Sequence, residues 1–190
     1  MAGLTFRKRK KRVSYQVIKE AVIWIAELIL VFALACLLVI NFGVMTSNVG
    51  QSMEPTLASG DRVLTNRLIY KLKDPKRGEI VVFKPNGNEN SHYYMKRVIG
   101  LPGERIQIID GFIYINGEVL LEEIKLDKMN YAGIAEEEIK LGPEEYFVLG
   151  DNRNASEDSR NAEIGPIKLQ DITAKAWFDA TFGEKFGMIE

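Results

Sequence analysis

Ile113-Tyr114-Ile115-Asn116-Gly117-Glu118-Val119-Leu120-Leu121 is a pair of apolar runs joined by Asn-Gly. Asn-Gly readily takes the left-handed backbone that a two-residue hairpin turn demands. The stretch therefore predicts two antiparallel strands, 113–115 and 119–121, meeting across 116–117. Just before it, Arg105 to Ile109 alternates in the period of two that a strand requires. Tyr146-Phe147-Val148-Leu149 and Ile172 to Phe178 add strands on the C-terminal side. On the N-terminal side, Arg62-Val63-Leu64-Thr65 follows Ser59-Gly60-Asp61, and Glu79 to Phe83 lies between Gly78 and Pro85-Asn86-Gly87. Short strands broken by Gly and Pro predict a mostly β fold, an antiparallel barrel-like domain. There is no βαβ alternation, no P-loop and no GxGxxG, which argues against a doubly wound nucleotide-binding fold. The charge-rich segment 122–140 reads as an exposed excursion from the barrel.

The N-terminal part is different in kind. Ala21 to Val44 reads AVIWIAELILVFALACLLVINFGV, unbroken in apolar character from Leu28 to Ile40. Twenty-four helical residues span about 36 Å, enough for a hydrocarbon core of about 30 Å. That is longer than the apolar core of a cleaved leader. The cluster Arg7-Lys8-Arg9-Lys10-Lys11-Arg12 beside it marks a cytoplasmic flank. Residues 1–44 carry +5 and the remainder −6, for a net −1. The predicted organisation is a cytoplasmic basic N-terminus at 1–20, one N-terminal transmembrane helix at 21–44 and an extracytoplasmic β-rich domain at 45–190.

Composition removes several chemistries. One Cys and one His exclude a disulfide framework and a Cys/His zinc site, so no metal and no other cofactor is expected. Cys36 sits inside the apolar run, which rules out a Cys–His pair with His92. A net charge of −1 gives no reason to expect a nucleic-acid partner.

Three stretches carry candidate chemistry. In Gly50-Gln51-Ser52-Met53-Glu54-Pro55-Thr56-Leu57 the glycine and proline constrain the backbone and hold Ser52 in a defined turn; the plain alternative is an ordinary turn serine. In Tyr93 to Glu104, strand alternation puts Tyr94, Lys96 and Val98 on one face and Met95, Arg97 and Ile99 on the other. One of two adjacent cations must then keep apolar company. A buried lysine loses proton affinity and becomes a usable base, whereas an arginine stays charged. The alternative is an edge strand with two solvated cations. Gly150 to Arg160, GDNRNASEDSR, starts at the end of a core strand and is dense in Asp, Asn, Ser and Arg, the makings of an ion-pair network. A serine nucleophile needs an adjacent base. His92 shares the parity of Lys96 but reads better as a half-exposed strand residue, which leaves the Ser–Lys variant.

In that order, basic stub, span, SMEPT at 52–56, GDRV at 60–63, KRVIGLPGE at 96–104 and GDNRNASEDSR at 150–160, the chain resembles the type I signal peptidases, in the short single-span form of Gram-positive bacteria. The resemblance implies a membrane-anchored serine endopeptidase whose partners are the signal peptides of preproteins and the lipid bilayer. By motif, Ser52 resembles the nucleophile, Lys96 the general base and Ser156 the hydroxyl that orients the amine. Asp158 and Arg160 resemble the supporting ion pair, and Arg97 the basic residue after the catalytic lysine. Apolar pockets near Met53, Leu57 and Met95 are expected to accept small side chains. Some family members place a serine two residues before the nucleophile as an oxyanion donor. Here that position is Gly50, which leaves the place to a backbone N–H or a water.

Two other readings compete. A self-cleaving domain of the SOS-repressor kind uses similar chemistry, but the span and the lack of a helix-turn-helix oppose it. A membrane-tethered, non-enzymatic peptide-binding β module is the other; a Ser52→Ala variant separates it from an enzyme.

Overall fold

The computed structural model describes residues 14–42, 44–85, 92–122, 124–182 and 185–189. The basic cluster Arg7–Arg12 and the Asn86-Gly87 turn lie outside the described residues. Two compact units divide the chain, 1–39 and 40–190.

The first is built on helix α1, Tyr15–Phe42. Among the described residues this is the one helix long and apolar enough to cross a membrane. It starts six residues ahead of the apolar stretch, because Tyr15 to Glu20 contains no helix breaker, and it ends before Val44, which opens the first strand.

The second unit is antiparallel β throughout. Its strands are β1 (Val44–Ser47), β2 (Arg62–Asn66), β3 (Ile80–Phe83), β4 (Tyr94–Gly100), β5 (Arg105–Ile109), β6 (Phe112–Ile115), β7 (Glu118–Val119), β8 (Ile139–Lys140), β9 (Glu145–Leu149), β10 (Ile167–Lys168), β11 (Ile172–Asp179) and β12 (Gly187–Met188). The larger sheet has the order β1-β2-β11-β3-β4-β9-β10, with β12 on β11; the smaller is β7-β6-β5-β8. Register shifts interrupt the ladders of β11 with β2 and β3 and of β4 with β9. Such irregularities bend strands and help a sheet curl toward the barrel-like form read from the sequence.

The turn at 116–117 forms as read, with Asn116 and Gly117 both at positive φ, 53° and 87°, the signature of a type I′ turn, while the returning strand is shorter than the predicted 119–121 and comprises Glu118–Val119. Asp110-Gly111 repeats it at 50° and 77°, so β5, β6 and β7 form a meander. The segment 122–140 is less exposed than expected. Met129 and Ala135 are buried, and Ile139–Lys140 pairs with β5. Its three apolar anchors outweigh its charged composition.

Alternation sorts the core. On β3 and β4, Ile80, Val82, Met95 and Arg97 share one face, and Val81, Phe83, Tyr94 and Lys96 the other. The first face joins Met53, Leu57, Val63, Ala174 and Ala176 in one buried cluster. The second joins Val98, Tyr146, Val148, Ile167 and Ile172 in another. A third cluster, including Ile99, Ile106, Ile113 and Phe147, ties the small sheet to β4 and β9. Both faces of β4 are covered, and this makes its two cations consequential.

Candidate active site

The connection from β1 to β2 carries Ser52. It is a loop pinned from beneath. Met53 and Leu57 are fully buried, and the Met53 carbonyl accepts the Leu57 N–H at 2.9 Å, closing one turn between them. Asn48 is buried at the loop's entrance; its side-chain amide donates to the carbonyls of Leu57 at 3.2 Å and Ala58 at 2.9 Å. Its own backbone bonds Asp61 and Gly60 where the loop returns. Ser52 thus stands on a short segment fastened at both ends, and its carbonyl accepts the Asn152 N–H at 3.1 Å.

Lys96 comes from the middle of β4 and is 3 % exposed. Its Nζ hydrogen-bonds Ser52 Oγ at 2.7 Å. The Tyr94 ring lies 5.2 Å from that nitrogen. Burial dominates the titration of Lys96 and pulls its pKa down to about 8, while the carboxylates of Asp158, Glu157 and Asp151 push the other way. A lysine so placed is neutral in an appreciable fraction near neutral pH, and its amine already touches a hydroxyl.

The loop after β9 supplies the surroundings. Asp158 is held by Arg160 through two bonds of 2.8 Å, and its Oδ2 accepts the Gly150 N–H at 3.0 Å. Asp151, also buried, takes both Nε and Nη2 of Arg97 at 2.8 Å and the Thr56 hydroxyl at 2.5 Å. Arg97 reaches on to the Gly78 carbonyl at 2.7 Å. Arg153 bonds the Gly150 carbonyl at 3.1 Å and pairs with Glu122. Two carboxylates close to the lysine are therefore each matched by a guanidinium. That matching tempers their pull on the ammonium, and desolvation prevails.

Other candidates fall as follows. Ser156 Oγ is buried with no hydrogen-bond partner; in this structure it makes no hydrogen bond to Lys96. It lies close by nonetheless. A Cβ built on Gly150 would meet Ser156 Oγ at 2.1 Å and the Ser52 carbonyl at 2.4 Å, so Gly150 is the clearance that lets the loop approach the serine. Met53, Leu57 and Met95 are at most 4 % exposed and belong to one core cluster, a floor beneath the site. Gly50 takes φ 83° with open space where a side chain would stand. His92 is exposed and precedes β4. Sequence reasoning missed Asn48, Thr56 and Glu122. Their partners are 10, 95 and 31 positions away, and no local pattern announces such pairings.

A hydroxyl beside a desolvated amine, with no imidazole involved, is an arrangement suited to serine-type hydrolysis. The comparisons agree in class. Residues 21–180 match the family described as signal peptidase, peptidase S26. The chain belongs to that family and is an enzyme of the peptidase class. Among its relatives, a Bacillus subtilis subsp. natto protein named signal peptidase I P is 39% identical over 173 residues, 87% of this chain and 88% of its own. A Synechocystis protein named probable signal peptidase I-2 is 43% identical over 112 residues, 57% of this chain and half of its own length. A solved signal peptidase I from Enterococcus faecalis is 31% identical, with a TM-score of 0.44, covering 55% of this chain and 97% of that one.

Proposed function

We propose that the protein is a membrane-anchored serine endopeptidase that removes N-terminal signal peptides from exported preproteins, cutting after small residues in an Ala-x-Ala-like context. The observation that carries the reading is the 2.7 Å contact between the buried Lys96 amine and Ser52 Oγ. Neutral Lys96 takes the Ser52 proton, and Ser52 Oγ attacks the scissile carbonyl. The C–N bond breaks, the leaving amine takes the proton back from Lys96, and an acyl-enzyme remains. Lys96 then draws a proton from water, the resulting hydroxide attacks the acyl carbonyl, the C–Oγ bond breaks to release the signal peptide, and Ser52 Oγ takes the proton back from Lys96. Substrate lies extended beside the Ser52 loop, added as a strand. The Met53, Leu57 and Met95 floor limits the depth available to the side chains before the cut. Helix α1 anchors the enzyme with its N-terminus cytoplasmic, so the β unit works on the outer face.

The test is incubation of the purified protein with a preprotein, followed by N-terminal sequencing of the product. Cleavage after an Ala-x-Ala-like site is expected, and both Ser52→Ala and Lys96→Arg should abolish it. Arginine keeps the charge but does not deprotonate. A Lys96→Arg variant that retains near-normal rates would overturn the mechanism and move attention to His92. Cutting after Leu or Lys with Ala-x-Ala sites left intact would overturn the specificity.

A further inference from the structure

A cavity of about 340 Å³ is walled by Tyr131, Arg153, Asn154, Ser156, Glu157 and Arg160, among others. Neither Ser52 nor Lys96 lines it, but two of its residues connect it to that pair. Glu157 accepts the Tyr94 hydroxyl at 3.4 Å, and the ring of that tyrosine faces Lys96 Nζ at 5.2 Å. Ser156 crowds the position above Gly150 where the Ser52 carbonyl also approaches. Its Oγ is buried and lacks a partner, an expense that an incoming polar group or water would offset.

The charges of the wall settle in pairs, with one left over. Arg153 is matched by Glu122 and Arg160 by Asp158. Glu157 is exposed, and its hydrogen bond is to a neutral hydroxyl. Beyond the Tyr94 ring stands Lys96, which is uncharged in the reactive state. The cavity then carries one negative charge without a matching cation in its wall, on the residue that leads through Tyr94 to Lys96.

During acylation the two halves of a substrate separate. The acyl half stays on Ser52. The amine half leaves toward the group that protonates it, so it must lie against the neighbours of Lys96. We propose that this cavity is the subsite for the first residues after the cut, and that Glu157 makes it favour cationic or donor side chains there over acidic ones. The inference rests on the role proposed for Lys96 and deepens it by assigning the leaving half a place and a charge preference.

The experiment uses the full-length protein in detergent micelles with internally quenched peptides. All share one Ala-x-Ala sequence and differ only in carrying Lys, Gln or Glu at the first or second position after the cut. The kcat/KM should fall from Lys to Gln to Glu, by about three-fold or more overall, the scale of an exposed ion pair. In Glu157→Gln the Lys-to-Glu ratio should approach one, and in Glu157→Lys it should invert. Because both peptides meet the same amine, the ratio within one variant does not depend on any change in Lys96 proton affinity. A ratio that neither substitution moves overturns the subsite and leaves the proposed function standing. If the unsubstituted protein cuts neither these peptides nor a preprotein, the proposed function fails and the subsite fails with it.

Discussion

Lys96 should destabilise the folded protein, in a pH window fixed by its own titration. Unfolded, it titrates near 10.5; folded, burial brings it to about 8. A depressed lysine means that the unfolded chain binds more protons between those values, so stability rises with pH across the window. Below about pH 8 the full cost is present, and above about 10.5 it is gone. At 1.36 kcal/mol per pH unit, a group shifted this far costs about 3 kcal/mol at pH 7. Lys96→Met keeps the volume and removes the titration. The substituted protein should therefore be more stable than the parent at pH 7, with the advantage shrinking by about 3 kcal/mol toward pH 10.5. For a protein of this size that corresponds to a difference in Tm of about 6–12 °C that closes with pH. Thermal unfolding of both proteins in detergent, followed by near-ultraviolet circular dichroism from pH 7 to 10.5, measures it. Other titrating groups are common to the pair and cancel. A Tm difference that stays flat across the window would refute the claim that desolvation governs this lysine. Activity against pH should show an acid limb at about the same pH 8.

Three other outcomes are expected. Gly150→Ala puts a methyl 2.1 Å from Ser156 Oγ and 2.4 Å from the Ser52 carbonyl. Because the second is backbone, the substitution should lower kcat by about 100-fold or more and cost about 1–3 kcal/mol, measured by kinetics and urea unfolding. Asp158→Asn leaves Arg160 buried without its carboxylate and should cost about 3–5 kcal/mol in urea unfolding, whereas Arg105→Ala, which opens an exposed pair with Glu138, should cost under about 1 kcal/mol. A chain truncated to begin at Val44 should fold and keep residual activity on soluble peptides, with a larger loss on membrane-embedded preproteins. The truncation must spare Val44, which pairs with Thr65 and accepts its hydroxyl. Folding with no activity under any detergent condition would contradict this.

Legibility in the sequence followed the range of the interactions. The strands at 62–66, 80–83, 105–109, 145–149 and 172–179 and the Asn116-Gly117 turn rest on period-two alternation and on a turn chemistry contained in a dipeptide. The opposite facing of Lys96 and Arg97 was equally local, because adjacent strand residues must diverge. What stayed hidden was who meets whom. Asp151 is chemically an ordinary loop acid until β4, β9 and the β1–β2 connection bring Arg97 and Thr56 to it. Segment 122–140 looks solvated because its charges outnumber its apolar residues, yet Met129, Ala135 and Ile139 decide its course. The start of α1 was not legible for the opposite reason. Hydropathy locates apolar residues, while helix formation continues through Tyr15 to Glu20, which are merely compatible with it.

The divergence of Lys96 and Arg97 across β4 has a consequence for anyone who edits this strand. The pleat alone partitions the two cations. On one side, an amine that can shed its proton meets Ser52. On the other, a guanidinium that cannot is locked to Asp151. One residue removed between β3 and Lys96 moves the strand by half its period, so that Arg97 takes the place facing Ser52 and Lys96 turns to the opposite face. The permanently charged group would then confront the serine, and the amine would take the place of Met95 among Met53, Ile80 and Val82. Such a chain could retain its sheets and loops while losing the amine beside Ser52, through a shift in frame that deletes neither Ser52 nor Lys96.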